Sequence, residues 1–483
     1  MPKVDHKRKE VSDNQKSWKL ISDCVAGEET IKKAKELYLP NPTAELDSEY
    51  SKKRFKAYVQ RAVFYNVTGR TLDGLVGQVF SKDSESDLPG DVERYEADID
   101  GAGTPLEQQA KATLKATVGK GHCGLLSDFP ATGDATTKED IETLRIRPRV
   151  ILIQPEQIIN WRVTAVGGET LLSLVVIEES TIVEDDGFEF KKEPRWREIR
   201  LMPVNEESTQ FAAVVTLWKK LEKPIDGEDF AIVEGFPVVL QDHRGQPLDR
   251  IPFEFVGAVN NEPCIDKAPL LDLANLIVAH YRNSADYEEG VFITGQDTLV
   301  LTGLQQEWVD KNFKDGVKLG SRSAIPLPKD AGAELLHTEA NGIAAEAMKH
   351  KEEQMKALGA KLIEPMATKG TATEALIEES SESSVLSSAA KNVSAAYRKA
   401  LFHASRFIAD VDPKTIIFEL NSDFAAAMAS PQERAQIVAE WQGGLITYEE
   451  ARTQLRKAGI ATEDDKTAKS KMEDNIIPVE PVI

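Results

Sequence analysis

A chain of 483 residues is too long for one small hydrophobic core and implies roughly two to four domains. With 59 basic against 80 acidic residues, its net charge of −21 is a poor basis for wrapping DNA by phosphate neutralisation, although an acidic surface suits a protein that DNA slides past without sticking. Hydrophobic residues at 41% and charged residues at 29%, with no apolar run long enough for a membrane span, describe a soluble protein.

In chain order, the N-terminus MPKVDHKRKEV carries basic residues with no apolar segment behind them, so a secretory signal is not expected and synthesis in the cytoplasm is. Residues 1 to about 85 read as mainly helical, from Trp18 to Leu37 and, after a Pro40/Pro42 break, from Ser51 to Phe80. Phe55, Val59, Ala62, Tyr65 and Val76 fall on a helical spacing there. Ser81 to Gly103 is acidic and turn-rich, Pro105 to Gly119 reads as a helix, and Leu125 to Phe129 as a strand.

From Arg149 to Val256 the period moves towards two, which predicts an antiparallel β region. Its runs include Val150–Ile153, Leu171–Glu178, Phe188–Phe190, Trp196–Met202 and Ala212–Leu217, with turn chemistry at 184–187, 226–228 and 242–246 and a close at Ile251-Pro252-Phe253. At Pro269 the helical period returns, through Leu270, Leu273, Ala274, Ile277 and Tyr281 to about Glu289. A compact insertion follows from Gly290 to Thr338, with a strand at Leu299–Leu301 and a short helix around Leu304–Phe313. A second helix, Glu339 to Ile363, brackets it, so the insertion belongs at the far end of an antiparallel helical pair.

After the short loop EPMATKGTA (364–372), Thr373 to Asp410 contains neither Pro nor Gly and carries an apolar stripe: Val385, Leu386, Ala389, Val393, Ala396, Tyr397, Ala400, Leu401, Ala404 and Ile408. One helix of roughly 57 Å is predicted, which needs neighbours along its length. Thr415–Leu420 is a strand expected to pair within the earlier β region. Helices Pro431–Trp441 and Thr447–Gly459 follow across Gly443-Gly444, the second opened by a Thr447/Glu450 capping box. The tail from Thr462 is charged and proline-containing, hence expected to be mobile. No internal repeat is visible.

Motifs for chemistry are weak. Gly119-Lys120-Gly121-His122-Cys123-Gly124 matches G-x-G-x-x-G, but a helix precedes it and a strand follows, the reverse of a dinucleotide site, so a helix-to-strand joint is the better reading. Glu346, His350 and Glu353 share a helical face, yet Lys349, Lys351, Glu352 and Lys356 beside them describe a solvated one. Ser284 and Asp286, near His280 and Tyr281, point to different faces of one helix and form no relay. There is no P-loop, G-x-S-x-G or H-E-x-x-H, and Cys24, Cys123 and Cys264 are too scattered for a zinc knuckle or disulfide framework, so free thiols are expected. Ser380, Ser381, Ser383, Ser384, Ser387 and Ser388 form either a close-approach surface or a plain polar face.

The order of parts resembles that of a tailed-bacteriophage portal protein, the head-to-tail connector, in a siphophage-type branch. The resemblance spans most of the chain from Tyr38 to Gly459. It is carried by Tyr38-Leu39-Pro40, Tyr58, Arg61-Ala62 and Asn66-Val67-Thr68; by Pro155-Glu156 to Asn160-Trp161; and by Pro269-Leu270-Leu271-Asp272-Leu273-Ala274 with His280-Tyr281-Arg282-Asn283-Ser284-Ala285-Asp286. Leu358-Gly359-Ala360 and Thr371-Ala372-Thr373-Glu374-Ala375 complete it.

The resemblance implies an α+β, portal-type multidomain subunit assembled in a ring, usually of twelve copies. Its parts would be a wing at 1–267 completed by strand 415–420, stem helices at 268–289 and 339–363, a clip at 290–338, and a tunnel loop at 364–372. A long backbone helix at 373–410, a return to the wing at 411–428, crown helices at 429–462 and a mobile tail at 463–483 would follow. Thr368, Lys369, Gly370 and Thr371 would face DNA. Gln305, Trp308, Asn312 and Lys318 on the clip would meet a terminase and a head-tail adaptor. Major capsid and scaffolding proteins would be further partners, double-stranded DNA would pass non-specifically, and neither membrane nor cofactor is implied. The protein would be non-enzymatic and reside at a capsid vertex of the virion. Two other readings stand beside this one: a soluble, phage-encoded metal-dependent enzyme using His122/Cys123 or Glu346/His350/Glu353, and a minor capsid or scaffolding protein.

Overall fold

The computed structural model describes residues 3–44, 48–90, 92–130, 146–204, 210–225, 228–295, 298–312, 327–336, 342–362, 384–422, 424 and 431–457. The fold is α+β, and the chain divides into two compact units. One comprises Met1–Ser22, Arg70–Asp272 and Leu358–Ile483; the other comprises Asp23–Gly69 and Leu273–Ala357.

The first helix, α1 (Lys9–Ala26), starts well before Trp18, because Val11, Trp18 and Ile21 are buried and decide where this polar stretch folds. Gly27 ends it at φ +96°, so the expected single helix to Leu37 is instead α1, α2 (Glu28–Lys33) and a 3-10 turn. The expected helix 51–80 is likewise two, α3 (Glu49–Arg61) and α4 (Val67–Val79). Ser48 caps α3 by accepting from the Ser51 N–H at 3.2 Å. Asn66 Oδ1 accepts from the Gly69 N–H at 2.8 Å, and a Cβ on Gly69 would stand 2.9 Å from that side chain.

The larger unit is built on β2 (His122–Asp128), every residue of which is buried. It is the middle strand of a three-stranded antiparallel sheet between β3 (Arg149–Ile153) and β10 (Phe253–Gly257). Helix α5 (Leu106–Lys120) leads into β2 through Gly121, in the left-handed region at φ +76°. A second, six-stranded antiparallel sheet holds β4 (Ile158–Val166), β5 (Glu169–Asp185), β6 (Phe190–Pro203), β7 (Phe211–Ile225) and β8 (Glu228–Ile232) in sequence order, with β9 (Val238–Val239) beside β7. The β4–β5 turn is Gly167-Gly168, both at positive φ, the backbone twist that a two-residue hairpin demands. Trp161, Val175, Ile177, Ile199 and Val215 from this sheet join Leu126, Ile153, Phe253 and Phe255 from the smaller one in a single core. The predicted β region is therefore two sheets, and its closing segment at Phe253 belongs to the smaller.

The long helix differs from expectation. Within the described residues it is α9 (Val385–Ser405), about 31 Å long at 1.5 Å per residue, and 373–383 lie outside them. It stops short of Asp410: Arg406 caps it and Phe407 and Ile408 form turns. Its neighbours lie in the same chain, since it packs on α5, β2 and β10. Leu386, Ala389, Val393, Ala396, Tyr397, Ala400, Leu401 and Ala404 are buried without any second copy. Of the serine patch, Ser380, Ser381 and Ser383 lie outside the described residues; Ser384 caps the helix through the Ser387 N–H and Ser387 donates to the Ser422 carbonyl at 2.8 Å, while Ser394, beyond the patch, accepts from the Leu420 N–H at 2.9 Å. Small side chains thus let the 420–422 backbone come close at Ser387 and Ser394.

The return strand is β13 (Ile417–Glu419), but it pairs with β1 (Glu85–Asp87), not with the 149–256 region. Helices α10 (Pro431–Gln442) and α11 (Tyr448–Lys457) end the described chain, and the Thr447/Glu450 capping box is formed in both directions. The expected mobile tail lies outside the described residues.

In the smaller unit, α6 (Leu271–Thr294) runs five residues past its expected end, and α8 is Ile343–Lys361. Tyr58 donates to Asp286, Arg61 pairs with Glu289, and Ser284 Oγ donates to the Val63 carbonyl at 2.8 Å, tying the end of α3 to α6. Between α6 and α8, β11 (Thr298–Thr302) and β12 (Gly332–Leu336) form an antiparallel pair around the short α7 (Gln306–Asn312). Strand β12 was not visible in the sequence.

Candidate functional site

Most of the described residues in the insertion between α6 and α8 are exposed or half-buried. Its strands are registered Thr298↔Leu336 to Thr302↔Gly332, which brings the two ends of the insertion together at its base. The far end is closed tightly: Gly303 is at φ +75°, and a Cβ there would stand 2.8 Å from the Asp330 carbonyl, itself on a residue at φ +78°.

Gln305 precedes α7, and its carbonyl accepts from the Trp308 and Val309 N–H groups at 3.0 and 3.1 Å, making the first turn. Gln305 and Trp308 stand three residues apart across the first turn of α7, and Asn312 is the last residue of that helix, its side chain outside those described. Gln305 is exposed and Trp308 half-buried. Lys318 lies outside the described residues, as do the whole tunnel loop and its Thr368, Lys369, Gly370 and Thr371.

At the base of the insertion Val291, Phe292 and Ile293 are each nearly half-exposed, with Leu335 similar and Ile343 more so. The Arg61 guanidinium stacks 4.2 Å over Phe292. This apolar collar escaped the sequence reading because Gly290 suggested a helix end, whereas α6 continues through it to Thr294. Apolar side chains with an edge of charge are thus exposed at this end of the insertion.

The alternative catalytic residues are differently placed. His122 is almost wholly buried between the Trp161 and Phe255 rings, at 5.7 and 5.5 Å between centroids. Neither ring nitrogen makes a well-formed hydrogen bond among the described residues; burial pushes its pKa down to about 4, and the nearby Cys264 backbone, too poorly placed for a full bond, opposes this only in part. Burial likewise drives the Cys123 thiol up to about 12, with Thr117 and Lys120 opposing, so it is no thiolate nucleophile. A Cβ on Gly124 would overlap the Phe253 ring at 2.2 Å, so this glycine serves packing between strands rather than a phosphate. Glu346, His350 and Glu353 are exposed, and the His350 ring bonds Gln354 at 3.1 Å. Among the described residues no group of His, Cys, Asp and Glu is arranged to hold a metal, and no helix is long and apolar enough to cross a membrane. Cys24, Cys123 and Cys264 are free.

Residues 269–408, which include α6, the insertion, α8 and α9, match the family model described as Domain of unknown function (DUF4055). No curated protein matches the chain. Among solved structures, the chain is similar to one of the neck of an empty GTA particle computed with C6 symmetry, at 14% identity and a TM-score of 0.39, covering 81% of this chain and 90% of that chain. It is also similar to a chain of the virion of a native gene transfer agent (GTA) particle, at 14% identity and a TM-score of 0.38, covering 80% and 89%. A third, from the neck of a native GTA particle computed with C12 symmetry, is 12% identical with a TM-score of 0.37 and the same coverage.

Proposed function

We propose that the chain is the subunit of a portal ring: a non-enzymatic channel at one capsid vertex through which a genome is packaged and later ejected. The observation that carries this reading is the succession of parts from 271 to 419. A long helix enters a small antiparallel insertion, a second helix leaves it, α9 follows, and β13 returns the chain to pair with Glu85–Asp87. That succession is the one the sequence resemblance implies, in the order stem, clip, stem, backbone helix and wing.

The apolar collar and α7 supply what a clip requires, a surface that terminase and adaptor proteins can occupy. The net charge of −21 suits a wall past which duplex DNA slides without adhering. Lys369 is the basic residue of the loop that would narrow the channel. The burial of α9 within its own subunit removes one argument for a ring, because this helix needs no neighbouring copy to cover its stripe.

Negative-stain images of the purified protein test the reading. Closed rings with a central channel, dodecameric in the simplest case, are expected; compact single subunits at high concentration would exclude it, and stoichiometric bound zinc or manganese would revive an enzyme.

A further inference from the structure

The six-stranded sheet carries an extension that does not serve its core. Pairing between β4 and β5 stops at Ile177, and pairing between β7 and β6 stops at Arg195. Glu178 and Glu179 still face Trp196 and Arg195, but beyond them residues 180–185 and 190–194 pair only with each other among the described residues, as a two-stranded ribbon with both edges open. Such a ribbon is marginal in water by itself. Its tip is nevertheless well defined: the Gly187 N–H donates to Asp185 at 2.8 Å, the Phe188 and Glu189 N–H groups donate to Asp186 at 2.8 and 2.6 Å, and Gly187 sits at φ +87°.

What the ribbon presents is unusual for a solvent-exposed strand pair. Phe188 is 97% exposed, Phe190 57% and Ile182 48%, so apolar side chains are held out along it. Between 182 and 193 five acidic residues (Glu184, Asp185, Asp186, Glu189, Glu193) face two lysines, and Lys191 is shared between Glu184 and Glu193. Pro194 removes a donor from one edge, so recognition there falls to side chains rather than to added strand pairing.

The complementary surface is on this same sequence. The stretch 50–65 of α3 and its exit holds Lys52, Lys53, Arg54, Lys56 and Arg61 without one acidic residue, in a chain whose net charge is −21. Glu289 neutralises Arg54 and Arg61, whereas Lys53 and Lys56 are exposed and have no acidic partner among the described residues. Tyr50 at 68%, Val63 at 48% and Tyr65 at 49% exposure accompany them.

We infer that the phenylalanine-tipped acidic ribbon of one copy docks on the basic, aromatic α3 surface of a second copy. Opposite charges set the register, and Phe188 enters the apolar ground around Tyr50. The contact joins two different surfaces, so it is heterologous and propagates from copy to copy, as a ring requires. It rests on the ring reading but locates the contact independently of it. The occupant is a protein and not a lipid surface, because the acidic excess of the tip repels anionic headgroups.

Charge exchange tests it. Glu184→Lys with Glu189→Lys, or Lys53→Glu with Lys56→Glu, places like charges together and should raise the association midpoint in analytical ultracentrifugation roughly tenfold or more; combining all four should restore association. Phe188→Ser should weaken association without altering the charge. Unchanged association in both double variants, or a quadruple variant no better than either, overturns the contact while leaving the ring standing. A wild-type chain that never associates overturns both. Phosphatidylcholine vesicles that sediment the wild type but not Phe188→Ser would also overturn it, in favour of a membrane-facing tip.

Discussion

The Tyr397 hydroxyl lies 2.8 Å from Thr113 Oγ1, joining the middle of α9 to the middle of α5 where neither side chain is reached by water. The same hydroxyl donates to Gln109 Oε1 at 3.0 Å, and Gln109 Nε2 donates to the Val150 carbonyl at 2.9 Å, so one network links α9, α5 and β3. Tyr397→Phe keeps the ring and leaves the Gln109 carbonyl oxygen buried and short of a donor. A loss of about 1–3 kcal/mol in urea unfolding is expected, since an orphaned buried acceptor costs more than the net worth of its bond. An unchanged midpoint would show that the network is ornamental to the packing of α9.

Where one residue type dominates the local choice, the sequence was legible. Helix 105–119 and strand 125–129 were found because Gly121 separates a clear helical period from a clear run of buried residues. Strand 158–166 falls within the predicted β region but has no run of its own in the sequence, because the 3-10 turn Pro155–Gln157 hides its start and Asn160 and Arg162 break the apolar pattern. The partner of β13 could not be read at all. Glu85–Asp87 is polar and exposed throughout, and only tertiary proximity makes it a strand. At the candidate site, α7 and β11 were visible from periodicity, while the collar at Val291–Ile293 was masked by a glycine that α6 tolerates.

His122 makes stability depend on pH in a definite direction. Its folded pKa, near 4, lies below the ordinary value of 6.5, so the unfolded chain takes up a proton first as pH falls. The stability contributed by the neutral ring is complete above pH 6.5 and is lost progressively down to about pH 4. Between pH 7 and pH 5 the loss from this one group is about 2 kcal/mol. His122→Phe, which keeps an aromatic ring between Trp161 and Phe255, should flatten the pH profile of unfolding over that window. A profile parallel to wild type would mean that other groups govern it.

Gly121→Ala isolates the joint between α5 and β2. The residue sits at φ +76°, and the new Cβ would lie 2.6 Å from the Asp266 carbonyl and 3.0 Å from that of Lys267. The left-handed conformation alone costs roughly 1–2 kcal/mol for a residue with a Cβ, and the backbone contacts add to it because neither carbonyl can swing away as a side chain could. A thermal midpoint lowered by several degrees is expected. Gly74→Ala, with open space around it, serves as the control and should leave the midpoint unchanged or slightly raised.

The insertion can be removed without cutting into the helices that carry it, provided the cut respects where those helices end. Helix α6 reaches Thr294 and α8 begins at Ile343, so the deletion that spares both is 296–341 rather than 290–338. In the intact chain Thr298 pairs with Leu336, so the segments flanking the deletion converge at the base of the insertion, and a short glycine linker replaces the strands that are removed. If the insertion is the docking clip, this variant should assemble as the wild type does in electron micrographs yet fail to bind terminase or adaptor in a pull-down with the purified partners. If rings are lost as well, the insertion holds the copies together, and the collar of Val291, Phe292 and Ile293 is then a subunit contact. Phe292→Ser separates these outcomes, because it leaves the insertion in place: loss of assembly assigns the collar to a second copy, and loss of partner binding alone assigns it to the adaptor.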